Sequence, residues 1–341
     1  MKIALIGLPQ AGKKTLFSLL TGRTAPESRK PGEVVEGIAP IRDPRVDRLH
    51  DLYDAKRAVY ADNHFVLCPD ALSGGDSRAW LDSARRCDLL CLVVRSFLSD
   101  QVYHPDGSVD ADRDEEHLRT ELLFADMELV EKRLARLEKE SKAGLSAQQK
   151  LEQSTLQSCM QKLEDGIVLR EAGLGPDERG AVRSLGLLTM LPVLVVENVS
   201  EEQTEGENGR LAVSCLIEQE IAAMEDENDR AEFLESLGLH ESGLDRFNAA
   251  AYDAQGLMSF YTAGKAECRA WTILKGSTAP VAGGKIHSDI ERGFIRVEVI
   301  KFDDLVEAGS EAAAKEKGKM LTKGRDYILE DGDVCHFLFN V

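Results

Sequence analysis

The chain has 341 residues, 43% of them hydrophobic and 30% charged, and a formal net charge of −18. That length allows two or three domains with at least one sizeable core. The acidity excludes nucleic-acid binding by bulk electrostatics, because phosphate backbones repel such a surface. No long Lys/Arg run offsets it, and Lys315-Glu-Lys-Gly-Lys319 reads as a mixed, solvated face. No uninterrupted apolar stretch reaches the ~18 residues of a membrane span. Pro9, Gln10, Lys13 and Lys14 break the N-terminal apolar run too early for a secretory signal. The seven cysteines (68, 87, 91, 159, 215, 268 and 335) fit free thiols in a reducing cytoplasm. The close pair Cys87 and Cys91 flanks a strand-like apolar run, where cysteine acts as a small hydrophobe.

In chain order, Ile3–Ile6 reads as a buried strand, Leu16–Leu20 as a helix, and a glycine loop joins them. The loop comprises Gly7, Leu8, Pro9, Gln10, Ala11, Gly12, Lys13, Lys14 and Thr15, with G-x-x-x-x-G-K spacing. Strand, loop and helix in that order make a phosphate-binding loop, whose backbone N–H groups face phosphate oxygens while the lysine meets the β/γ charge. One position departs: the hydroxyl that binds Mg²⁺ should follow Lys13, and Lys14 stands there. Two unit charges ~4 Å apart repel by about 4 kcal/mol at an effective dielectric of ~20, and a divalent ion roughly doubles that. Lys14 therefore either weakens a metal site or replaces part of the metal's charge. Thr15 points elsewhere on the helix and does not restore the ligand.

Further strand-like runs at His64–Cys68, Leu89–Val94 and Val193–Val196 predict an α/β domain with a mostly parallel sheet. Between the last two, Leu123, Met127, Val130, Leu134 and Leu137 recur at four- and three-residue steps, which predicts a helix with a coiled-coil-type seam. Lys142-Ala-Gly-Leu-Ser146 interrupts it, and Ala147–Glu171 resumes through Leu156, Leu163 and Ile167, so an antiparallel hairpin is expected. A helical stretch from Ile217 through Arg230 leads toward Leu257. Thereafter Arg269–Ile273, Ile295–Ile300 and Val334–Phe339 alternate like half-exposed strands, with Asp331-Gly332-Asp333 as a turn before the last. The expected domains are residues 1–112 with 185–257, an inserted hairpin at 113–184, and a small β-rich domain at 258–341.

Taken together these segments resemble the YchF/Obg-like ATPase family across almost the whole chain. The most specific stretches are Phe260–Trp271, Gly283–Val299, Gly324–Val334 and the terminal Phe339-Asn-Val341, similar to the family's TGS domain, with Glu121–Arg133 similar to its hairpin. The resemblance implies a P-loop domain, an inserted helical hairpin and a C-terminal TGS domain of β-grasp type, with Trp271 and Phe294 in its core. It also implies ATP or GTP as ligand and a link to the ribosome or RNA in a cytoplasmic protein.

The family's base-reading N-x-x-E matches Asn198, Val199, Ser200 and Glu201, which follow the strand Val193–Val196. Without the aspartate that reads guanine, this implies adenine preference. The next loop, S-A-x in the family, matches Ser214, Cys215 and Leu216. The family's water-positioning histidine falls on His104. Two elements are absent: Lys30–Ile41 has no switch threonine, and Cys68-Pro69-Asp70-Ala71 is no D-x-x-G, although Ser73-Gly74-Gly75 nearby is flexible in composition. Two functions follow as alternatives. One is nucleotide binding with weak or absent hydrolysis, and the other a pseudo-NTPase scaffold acting through TGS and hairpin surfaces. An RNA-binding factor is a third, which a salt-dependent titration would reveal.

Overall fold

The computed structural model describes residues 1–25, 34–71, 79–142, 144–203, 206–224 and 226–340. Lys30, Ser73, Gly74, Gly75 and Val341 lie outside the described residues. The chain forms two compact units, Met1–Ala39 with His64–Phe247, and Pro40–Asn63 with Asn248–Val341.

In chain order, β1 (Lys2–Ile6) leads into α1 (Lys13–Thr21), followed by β2 (Val35–Ile41), α2 (Pro44–Tyr53), β3 (Ala58–Val59), β4 (Ala61–Leu67) and β5 (Leu89–Arg95). Then come α3 (Ala111–Ser141), α4 (Ala147–Glu164), α5 (Pro176–Val182), β6 (Val193–Asn198) and β7 (Leu211–Val213). Helices α6 (Cys215–Ala223), α7 (Glu227–Ser236) and α8 (Gly243–Ala254) replace the single helical stretch expected there. The last strands are β8 (Leu257–Ala263), β9 (Cys268–Leu274), β10 (Phe294–Lys301), β11 (Leu321–Lys323) and β12 (Asp333–Phe339).

The first unit's sheet has the order β2-β4-β1-β5-β6-β7, and the pairs from β4 through β7 are parallel. Every residue of β5 is buried, as are Ile3 to Ile6 of β1. A continuous apolar run suits a strand covered on both faces, which is why these two were readable without alternation. Half-polar β2 was not. The parallel arrangement brings the carboxyl ends of β1, β4, β5 and β6 to one edge, where ligands of open α/β sheets sit.

Helices α3 and α4 run antiparallel, since Arg133 pairs with Glu152 and Glu140 with Gln149. Between them Gly144 takes φ +92, and Ser146 and Gln149 form a reciprocal capping box that starts α4. Val130 and Leu137 are fully buried against Leu156, Cys159 and Leu163. The helix expected to reach Glu171 ends at Glu164, because Gly166 adopts φ +76 and closes its last turn. Ile167 therefore lies beyond the helix, although Leu169 and Leu174 rejoin the same core.

The second unit's sheet has the order β11-β10-β12-β8-β9-β3, with β10 antiparallel to β11 and β12, and β8 to β9. Adjacent residues of β8 serve opposite faces, as the period-two pleat requires. Phe260 joins Val297, Val299 and Phe337, while Tyr261 joins Ala270, Ile300 and Val334. Phe294 is in the first of these cores and Trp271 packs against it, stacked on Phe260. The second apolar face needs a cover, and α2 supplies it through Val46 and Leu49. Residues 40–63, read from the sequence as part of the N-terminal domain, thus pack in the second unit. Tyr261 and Arg45 secure them: the Tyr261 hydroxyl donates to Asp43, and the Arg45 guanidinium lies 5.2 Å above the Tyr261 ring while pairing with Asp331. Among the described residues no helix is long and apolar enough to cross a membrane.

Candidate functional site

The glycine loop leaves β1 at the carboxyl edge of the first sheet and turns into α1. Two of its glycines are dictated by close approach. A Cβ on Gly7 would overlap the Val93 carbonyl, and one on Gly12 would overlap the side-chain amide of Asn198. Gly12 also adopts φ +98, a conformation that side-chain-bearing residues rarely hold. Helix α1 has no side-chain cap and no acidic residue in its first turn, so its positive end faces the loop.

Lys13 is 3% exposed. Its ammonium donates to the Gly7 carbonyl and pairs with Asp70 Oδ1 at 2.7 Å. Asp70 follows β4 in a segment held to β1 and the loop: Cys68 N–H donates to Leu5 O at 3.1 Å and Ala71 N–H to Gly7 O at 3.2 Å. Lys14 is exposed on the first turn of α1 and Thr15 half-buried.

Asn198 ends β6 and is 5% exposed. Its amide donates to Ala11 O at 3.2 Å, and its Oδ1 accepts from Cys215 N–H at 3.1 Å. One side chain thus braces the glycine loop against the start of α6, where the Ser214 hydroxyl caps the helix by accepting from Ile217 N–H. Val199 is buried, Ser200 and Glu201 are exposed at the turn that follows, and Leu216 is exposed. A helix N-terminus usually lowers a thiol's pKa. At Cys215 burial wins, with the Glu218 carboxylate adding to it, and the thiol is pushed up to about 12. Cys215 is expected to resist iodoacetamide at pH 8 until the protein unfolds; rapid native-state alkylation, read by mass spectrometry, would refute this.

His104 lies in the connection after β5, apart from the braced loop in its bonding. The Asp106 N–H donates to Nδ1 at 3.2 Å, which leaves Nε2 to donate to Asp114 Oδ2 at 2.8 Å. Both ring nitrogens are therefore used within the protein, and the side chain is 4% exposed. Arg113 pairs with Asp114 at 2.8 Å and with Asp106 at 3.7 Å, supplying the positive charge among these carboxylates. The loop leading to His104 wraps the buried Arg95 guanidinium, which donates to the carbonyls of Phe97, Val102 and Tyr103. Burial lowers the Arg95 pKa, and the Asp114 charge opposes that shift.

Three residues that shape this region were missed from the sequence. Arg95 is a charge ending the wholly apolar run Leu89–Val94, and that anomaly was a legible signal. Asp114 gave none, being one acid among many in α3. Asp70 was read only as part of Cys68–Ala71, the stretch that fails to make a D-x-x-G, and only the fold brings its carboxylate to Lys13.

A parallel sheet whose first strand runs through a glycine loop into a helix opening with lysine defines a P-loop α/β protein. The family model YchF-GTPase_C, described as a protein of unknown function (DUF933), matches residues 257–340. The chain is 37% identical to the ribosome-binding ATPase YchF of Escherichia coli O157:H7, with 100% of this chain and 99% of the relative covered. Identity to the protein of the same name from Bacillus subtilis is 38%, over 99% and 98% of the two chains. The solved structure of the Schizosaccharomyces pombe YchF GTPase is similar with a TM-score of 0.82 and 30% identity, covering 99% of this chain and 97% of that one. The chain belongs to the YchF family.

Proposed function

We propose that this protein binds adenine nucleotide in its glycine loop, ATP in preference to GTP, hydrolyses it slowly or not at all, and acts with the ribosome in the cytoplasm. The observation that carries the reading is the braced loop: Gly7 and Gly12 let it pass hard against the Val93 carbonyl and the Asn198 amide, and Asn198 fixes the loop against α6. Lys13 and the loop N–H groups hold phosphate. Asn198 and Glu201, with the Ser214–Leu216 segment, form the base side, which lacks the aspartate that accepts from guanine. The ribosome link rests on relatives named ribosome-binding ATPases. The C-terminal part, as a TGS domain, and the hairpin would supply the contacting surfaces.

The donor set does not suit Mg²⁺, since the position after Lys13 offers an ammonium where the metal needs a hydroxyl oxygen. His104 would orient water only after releasing Asp114, which accounts for slow turnover, because phosphoryl transfer depends on positioning.

Calorimetric titration with ATP, ADP and GTP, with and without Mg²⁺, tests the reading on wild type and Lys14→Ser. Wild type is expected to bind adenine nucleotide with no gain from Mg²⁺, and Lys14→Ser to gain affinity when Mg²⁺ is added. Absence of binding under every condition would overturn the reading and leave a scaffold built on a P-loop fold.

A further inference from the structure

We propose that Asp70 makes this a nucleoside-diphosphate site: its carboxylate takes the place on Lys13 that a terminal phosphate would occupy, so ADP is held in preference to ATP. The inference rests on the reading that the glycine loop binds nucleotide.

A P-loop lysine reaches the β- and γ-phosphates. In this chain the Lys13 ammonium is already engaged, pairing with Asp70 Oδ1 at 2.7 Å while donating to the Gly7 carbonyl. The Lys13 side chain is 2% exposed and that of Asp70 40%, so the carboxylate enters from the open side of the loop. Its backbone is held there by the bonds from Cys68 N–H and Ala71 N–H to β1 and Gly7. The Gly7 carbonyl receives both Lys13 and Ala71, which ties lysine, loop and the Asp70 segment to one acceptor.

An α,β-diphosphate can use the loop N–H groups and the uncapped start of α1 without moving Asp70. A γ-phosphate brings further negative charge to the same ammonium, where it must either displace the carboxylate or sit beside it. Like charges at such range repel, and the repulsion grows as the site excludes water. Asp70 is in this sense a specificity-determining residue, the counterpart within the chain of a bound terminal phosphate.

The test measures ADP and ATP affinity without Mg²⁺ on wild type, Asp70→Asn and Asp70→Gly, with circular dichroism confirming that each variant is folded. Wild type is expected to bind ADP at least about tenfold more tightly than ATP. Asp70→Asn should tighten ATP about 10- to 100-fold, the scale of one charge-assisted hydrogen bond regained, and change ADP far less. Asp70→Gly should shift ATP in the same direction. Equal wild-type affinities, or an equal change for both nucleotides in the variants, would overturn the inference while leaving the nucleotide site standing. If no folded form binds either nucleotide, the reading of the site fails and the inference falls with it.

Discussion

Replacing Asp126 by alanine is expected to destabilise the first unit by about 3–5 kcal/mol, the range for removing one partner from a buried ion pair. Asp126 sits on α3, is fully buried, and satisfies four donors. Its Oδ1 accepts from Arg85 at 2.8 Å and Leu188 N–H at 2.9 Å, and its Oδ2 from Thr189 N–H at 2.7 Å and the Thr189 hydroxyl at 2.8 Å. Arg85 in turn donates to the carbonyls of Ala125 and Gly186. Truncation leaves two backbone N–H groups, a hydroxyl and a guanidinium to find new partners where little water reaches. Asparagine should rescue little, because its amide N–H₂ would face donors on one side. Urea unfolding followed by Trp80 fluorescence in a Trp271→Phe background reads this, since Trp80 packs in the first unit's core and Trp271 in the second unit. A loss below about 1 kcal/mol would mean that the site relaxes or admits water more readily than the geometry implies.

The second large effect is expected at Gly12. Changing it to alanine forces a side chain into φ +98 and against the Asn198 amide. Strain of that kind costs about 1–3 kcal/mol. Nucleotide affinity should fall as well, by about 100-fold, because the loop N–H groups converge on phosphate only while the brace from Asn198 to Ala11 holds. Asn198→Ala separates the two causes. In that background the overlap is gone and the backbone strain stays, so the stability cost of Gly12→Ala should drop by more than about 0.5 kcal/mol, beyond additivity. Strict additivity, measured by thermal unfolding of the four proteins, would show that Asn198 does not press on the loop.

The sequence conveyed those features that depend on neighbours in the chain. Ile3–Ile6 and Leu89–Val94 are apolar on every residue, the pattern of short strands buried on both faces. The seam from Leu123 to Leu137 announced α3 by its period, and the break at Lys142–Ser146 marked where α4 starts. The end of α4 was hidden because Leu169 and Leu174 extend the apolar count after Gly166 has closed the helix; burial continued where helical geometry did not. The split of the later helical stretch into α6, α7 and α8 was missed for the related reason that caps such as Ser214 and Asp226 also occur on ordinary loops.

What only the tertiary structure decided are the meetings between distant residues. Asn198 and Ala11 are 187 positions apart, and the parallel register of β1, β5 and β6 brings them together. The assignment of α2 to the second unit follows from an apolar sheet face that had to be covered, a demand that residues 40–63 do not advertise. His104 had a resemblance to recommend it, but its bonds to Asp106 and Asp114 depend on how the connection folds over Arg95. Asp70 was read only in a stretch that makes no D-x-x-G, and its charge acquires meaning only at 2.7 Å from Lys13. By itself the sequence determined the periodicities, the glycine loop and the missing hydroxyl at position 14, because these are local. Which charge faces which was left to the fold, because Coulomb energy depends on distance in space and the chain encodes only distance along itself.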